Sequence, residues 1–396
     1  MTQLLMESQT IGNAKMIWQE FENELNGARF VLAAAQPSRF HFPAKFDFQT
    51  QPDAAFLRSP FAYDYLHFLP ELSDTTRAKC IVAFDSNVAT RLNNNHDGLR
   101  QVVSKIGQDR FRWNYSSYLM EKLTDLPEGR DRNHVFNTVL TFERLATCDF
   151  KNLQQSGAIV SFLEDSELER RATLEIETQH QEFRNGRGVQ IRHRLNLFYI
   201  FALKAAIIHL KKPSKEAAAS KLLELLEFLG DKLRCLPPLA VVAAVKFFVE
   251  GPNFAPFAKL ANKKPLLKNE ARNVAWDFLH LQIGHEFTGF NGPGGTFLLR
   301  YFLTFDKGLK DLFDVCRYRS CLIFPGQSFP TFHPDFDIPS EIIARFPGKN
   351  YHELSAAVFK YFTGRAQEER TAQLQINPTD VPKLIEDLES EIDRLC

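Results

Sequence analysis

Four carboxylates in this chain stand where an apolar run meets a polar one: Asp85 in Phe84-Asp85-Ser86-Asn87-Val88, Glu143 in Phe142-Glu143-Arg144-Leu145, Asp277 in Trp276-Asp277-Phe278-Leu279, and Asp306 in Thr304-Phe305-Asp306-Lys307-Gly308-Leu309. The edge of a buried element holds a side chain still. Carboxylates brought to one spot repel one another, so such a cluster persists by binding a divalent cation or by sharing protons. Hard oxygen ligands favour Mg2+ or Mn2+, which keep several waters and take phosphate oxygens as further ligands. The chemistry expected is hydrolysis of a phosphodiester by a metal-activated water, with no covalent nucleophile.

Each carboxylate also has a plain structural reading. Asp85 and Asp306 can cap helices, because a side-chain oxygen at that position accepts bonds from free backbone N–H groups. Glu143 early in a helix would complement its dipole. Asp277, between Trp276 and Phe278, would be costly if buried unpaired, and Arg272 or Lys268 can pair with it.

The elements that must position these groups follow from apolar patterning. Lys79 to Phe84 is a continuous apolar run of strand length ending at Asp85, the pattern of a central parallel strand covered on both faces. His134 to Thr141 reads as a second strand running into Glu143, Thr296 to Phe305 as a third ending at Asp306, and Ser320 to Phe324 as a fourth. Helical patterns cover Asn87 to Leu92, Leu99 to Ile106, Asn269 to Ile283 and Lys307 to Val315. Strands alternating with helices imply an α/β layered fold, in which functional groups gather at the carboxyl ends of parallel strands.

Taken together, a strand followed by Asp-Ser-Asn, then Phe-Glu-Arg-Leu, a helical Trp-Asp-Phe-Leu and a strand followed by Thr-Phe-Asp-Lys-Gly-Leu resemble the PIN-like nuclease family. The resemblance covers roughly 78–153 and 266–325. It implies a parallel-sheet, Rossmann-like three-layer core, with Asp85, Glu143, Asp277 and Asp306 as catalytic, metal-binding positions. Asn87 and Thr304 would orient a carboxylate or a water. Glu175, Glu177, Glu250, Asp311 and Asp314 are substitutes should one of the four stand elsewhere. The activity implied is that of an endonuclease, with RNA preferred over DNA. A catalytically degenerate scaffold binding protein or RNA is the alternative, and a phosphatase using Asp85 a third.

The division expected is an N-terminal extension over 1–77, made of a helix and then loops and short elements that pack on the core, and a discontinuous core over 78–153 and 265–325. A helical insertion follows over 154–264, and loops and helices over 326–396. The insertion is rich in apolar and amphipathic helical segments: Glu164 to Phe183, Leu195 to Leu210, Lys215 to Leu229 and Pro238 to Val249. Within it, Arg184, Arg187, Arg192 and Arg194 form an Arg/Gly strip suited to phosphate contact.

Composition sets outer bounds. Lys plus Arg and Asp plus Glu both number 48, so only local basic patches can serve a nucleic acid. Thirty-seven Phe point to heavy aromatic packing. The six cysteines make no zinc-type pairs and suit reduced thiols in the cytoplasm. No secretory signal and no membrane span is expected. An inhibitory or assembly protein is a further expected partner. His280, His285 and Glu286 lack metalloprotease spacing, and Gly292 to Gly295 lacks the Lys and Ser/Thr of a phosphate-binding loop. His333, Asp335 and Asp337 read as a polar turn.

Overall fold

A computed structural model describes residues 1–49, 54–72, 78–93, 102–103, 106, 111–125, 132–156, 158–234, 237–292, 296–325, 327, 330–346, 351–362 and 379–396. The fold is mixed α/β and divides into two compact units, Met1–Gly188 with Leu281–Asp335, and Val189–His280 with Phe336–Cys396.

The first unit holds two sheets. One has the order β11-β10-β1-β5-β2, from Thr331–Pro334 (β11), Tyr318–Ile323 (β10), Arg29–Ala34 (β1), Tyr65–Leu69 (β5) and Phe40–His41 (β2), and every pairing in it is antiparallel. The other runs β3-β4-β9-β6-β7, from Lys45–Phe48 (β3), Ala55–Arg58 (β4), Thr296–Thr304 (β9), Ala78–Phe84 (β6) and Phe111–Asn114 (β7), with Gly289–Gly292 (β8) against β9. In this second sheet β6 lies parallel to both β7 and β9. Continuous apolarity explains its central place: Cys80, Val82, Ala83 and Phe84 are all buried, as is every residue of β9 from Leu299 to Thr304.

One expectation is corrected. His134 to Thr141 is not a strand but lies within the helix Arg132–Ala146. Its buried Val135, Val139, Phe142 and Leu145 recur at helical spacing, a pattern that a short apolar run conceals. The short elements expected within residues 1–77 are strands: the described residues there carry helices Thr2–Met6 and Ile11–Glu20 and five strands, two of them inside the antiparallel sheet. Those strands are short, and apart from the pairing of β3 with β4 their partners are distant in sequence, as with Arg29 opposite Ile323. The expected Leu99 to Ile106 helix lies largely outside the described residues.

Arg58, at the end of β4, is 2% exposed and ion-paired with Asp47 at 2.8 Å and Asp314 at 2.9 Å. It also donates to the backbone carbonyls of Phe46 and Leu57, so its buried charge is fully partnered.

In the second unit the described elements are helical, with Gly188–Lys211, Ala218–Glu227, Pro238–Glu250 and most of Leu267–Glu286 as the main ones. Phenylalanine fills this core: Phe278 packs on Phe198 and Phe201 with ring centres 5.5 and 5.6 Å away, and Phe257 packs on Phe247 at 5.1 Å. The last helix, Val381–Leu395, docks through Tyr199, which donates to Glu389 at 2.7 Å, and through Lys268 with Asp393 at 2.8 Å. Among the described residues no helix is long and apolar enough to cross a membrane. Among the described residues no disulfide forms: the Cys80, Cys148, Cys316 and Cys321 thiols are buried, and that of Cys396 is exposed.

Candidate acidic site at the ends of the parallel strands

Asp85 follows β6 directly, and its backbone N–H donates to the Leu303 carbonyl at 3.0 Å, extending the pairing with β9. Its own carbonyl accepts from Ala89 at 2.9 Å and so opens the helix Ser86–Asn93. The side chain is only 6% exposed. Thr304, last residue of β9, donates its hydroxyl to Asp85 Oδ2 at 3.0 Å, and the exposed Asn87 amide reaches the same oxygen at 3.4 Å. Burial raises the Asp85 pKa to about 7, helped by the Glu121 charge and, more weakly, by Asp306. The Thr304 hydroxyl and the Ser86 backbone N–H oppose that rise. A carboxylate so placed holds or releases a proton near neutrality, which is the behaviour of a functional group.

Glu121 was not singled out in the sequence. It sits on the helix Ser116–Asp125 that follows β7, and Ser86 donates its hydroxyl to Glu121 Oε2. Lys122 stands 3.6 Å from the other oxygen. The signal that could have found it is a third strand-then-helix junction. It was masked because β7 has four residues, among them Arg112 and Asn114.

Asp306 does cap a helix: its Oδ1 accepts from the backbone of Gly308 at 2.6 Å and Leu309 at 3.2 Å, opening Lys307–Val315. Its own N–H donates to the Thr304 hydroxyl oxygen at 2.9 Å. One hydroxyl therefore joins the two aspartates. Replacing Thr304 with Val should cost about 2 kcal/mol, since it leaves the Asp306 N–H without its acceptor. It should also move the Asp85 titration above its wild-type midpoint, read by carboxyl-carbon NMR.

The other sequence candidates are placed differently. Glu143, on Arg132–Ala146, accepts the Tyr115 hydroxyl at 2.7 Å, and burial with this bond pushes the tyrosine pKa upward. Asp277 is half-buried on Leu267–Glu286 and belongs to the second unit, whereas Asp85, Glu121, Glu143 and Asp306 belong to the first. Of the substitutes, Asp314 is committed to Arg58 and Lys310, and Asp311 to Lys310. The Arg strip divides between units: Arg184 and Arg187 fall in the first, Arg192 and Arg194 in the second. Asp335 pairs with Arg319 at 2.8 Å, and Asp337 caps Ile338–Ala344.

Among the described residues, no three His, Cys, Asp or Glu side chains stand close enough to hold one metal ion directly. The donor chemistry still suits Mg2+ or Mn2+. Asp85, Glu121 and Asp306 offer hard oxygens, and a divalent cation would offset both the burial that chiefly raises the Asp85 pKa and the repulsion from Glu121 and Asp306 that adds to it. Mg2+ takes one or two carboxylates directly and reaches others through its retained waters. Comparison with protein-family models, with curated proteins and with solved structures finds no match to this chain.

Proposed function

We propose that the protein is a metal-dependent phosphodiester hydrolase, an endonuclease acting on RNA in preference to DNA, built on a PIN-like core of β6, β7, β9 and their helices. The observation that carries this reading is the near-neutral Asp85 beside two further acidic groups, at the carboxyl ends of parallel strands. Asp85, Glu121 and Asp306 would hold Mg2+ or Mn2+. When bound, the metal supplies positive charge for the phosphate oxygens and lowers the pKa of a bound water. Thr304 fixes the Asp85 carboxylate, Ser86 fixes Glu121, and the exposed Asn87 amide, at 3.4 Å from Asp85 Oδ2, has a second N–H to offer a phosphate. The expected setting remains the cytoplasm, with an inhibitory or assembly protein as a further partner.

A catalytically degenerate scaffold is the second reading. It is favoured by the engagement of Glu143 with Tyr115 and by the capping role of Asp306. A cleavage assay on mixed RNA and DNA, titrated with Mg2+ and Mn2+, separates the two. Under the nuclease reading Glu121→Gln lowers the rate at least a hundredfold, the scale of losing one electrostatic contributor. Glu143→Gln should stay within about tenfold of wild type, a loss of about 1.4 kcal/mol. No metal-stimulated cleavage by the wild-type chain would establish the scaffold.

A further inference from the structure

Arg300 lies in the middle of β9, opposite Ile81 of β6, and is 4% exposed. A guanidinium is always charged, and burying one requires partners that satisfy its donors. Arg58, in the same sheet, meets that requirement with two carboxylates. Arg300 does not. Among the described residues its side chain donates only to hydroxyls, Ser117 Oγ at 2.7 Å and Ser116 Oγ at 3.5 Å, and its Nε has no partner. The Phe287 ring lies 5.1 Å from the guanidinium and is itself 40% exposed.

The surroundings add more positive potential. Ser116 and Ser117 form the first turn of the ten-residue helix Ser116–Asp125, whose dipole favours an anion. Asn114 Oδ1 caps this turn, accepting the Ser116 N–H at 3.0 Å and the Ser116 hydroxyl at 2.5 Å, so Ser117 carries the hydroxyl left to donate. Both influences on Arg300, burial first and the nearby Arg187 charge second, work against its charged form and pull its pKa down to about 10. Arg187 is placed by an unusual turn. Gly186 adopts φ 105°, and a Cβ on Gly188 would sit 2.6 Å from the Phe183 carbonyl oxygen. The Gly-Arg-Gly sequence thus serves to aim one arginine. Its present partners are Glu182, whose side chain is 46% exposed, and, at 3.5 Å, Gln179 Oε1.

We propose that Arg300, Arg187 and the Ser117 hydroxyl form a phosphate seat, filled by a backbone phosphate of the nucleic-acid strand adjoining the one at Asp85. This rests on the nuclease reading for the identity of the strand. Ser117 and Glu121 lie four residues apart on one helix, about 6 Å along its axis, a step that a neighbouring nucleotide can span. The incoming oxyanion displaces Glu182 from Arg187, an exposed pair of small worth, and reaches the guanidinium of Arg300 past the Phe287 ring.

The test uses the full chain with two probes. Inorganic phosphate is titrated while the thermal midpoint is followed, and a labelled single-stranded RNA is titrated by anisotropy in EDTA across a salt series. Wild type should be stabilised by phosphate, Arg187→Gln should weaken phosphate binding about tenfold, and Glu182→Gln should strengthen it. Arg187→Gln should also reduce the salt slope of RNA binding by about one. Ser117→Ala serves as the milder second variant should Arg300→Gln fail to fold, and it too should weaken phosphate binding. A wild-type chain indifferent to phosphate, or Arg187→Gln and Glu182→Gln indistinguishable from it, overturns the seat. Phosphate binding as described with RNA binding unchanged by Arg187→Gln overturns its assignment to nucleic acid. A chain that behaves as expected toward both probes yet cleaves nothing sustains the seat and refutes only the nuclease reading.

Discussion

Asp85→Asn should abolish metal-stimulated cleavage, by at least a thousandfold, while making the folded protein more stable at pH 8. Asn keeps an oxygen to accept the Thr304 hydroxyl, so the local structure has little reason to change. What it removes is a buried charge. The folded pKa of about 7 lies above the ordinary 3.8, so protons are held more tightly in the folded state. Ionised Asp85 therefore costs stability as pH rises above 3.8, and the cost levels off beyond 7. At about 1.4 kcal/mol per unit the plateau is on the order of 4 kcal/mol. Urea unfolding should show the variant gaining most of that at pH 8 and little at pH 4. Mg2+ should raise the wild-type midpoint at pH 8, and that of the variant far less. A variant that cleaves at the wild-type rate would remove Asp85 from the reaction, and one destabilised at pH 8 would refute the buried-charge argument.

The second large effect is acid destabilisation through His285. This side chain is 5% exposed, between Tyr318 with ring centres 4.5 Å apart and Phe332 at 5.6 Å, and its Nε2 has no hydrogen-bond partner. Burial lowers its pKa to about 3. The unfolded chain takes up this proton near pH 6.5 and the folded chain only near 3, so stability falls across that window as pH falls. The full loss is about 5 kcal/mol, a large share of a typical domain's stability. His285→Phe keeps an aromatic ring and should abolish most of the difference between urea unfolding at pH 7 and at pH 4. Asp85 acts in the opposite direction over much of the same range, so the comparison is cleanest in the Asp85→Asn background. An unchanged pH dependence in the double variant would show that His285 is not buried neutral. His209 in the second unit, lowered to about 4 by burial and then by Lys221, adds a smaller loss of the same sign.

The sequence disclosed the features whose causes are local. A continuous apolar run followed by Asp announces a buried strand end, and β6 with Asp85 and β9 with Asp306 stand where that pattern places them. Thr304 was legible as an orienting group because it lies two residues before Asp306 at the same strand end. Glu121 was hidden because a four-residue strand with Arg and Asn carries almost no periodicity, and its meeting with Ser86 depends on the β6–β7 pairing. The Arg132–Ala146 helix was misjudged because eight apolar-rich residues fit a strand as well as two helical turns. The N-terminal strands were legible only as short elements, because each is brief and all but β3 gain a partner distant in sequence. Arg300 gave no signal at all, since one Arg inside an apolar strand looks like an interruption until its unsatisfied nitrogen is seen.

Arg58 has a remote consequence. Its partner Asp314 lies near the far end of the same helix whose first turn Asp306 caps, so this helix is moored at both extremities. Loosening the mooring lets the rod pivot, and a pivot displaces the carboxylate at its tip. A lesion on β4 would then masquerade as a chemical defect, with turnover lost in a protein whose acidic groups are all intact.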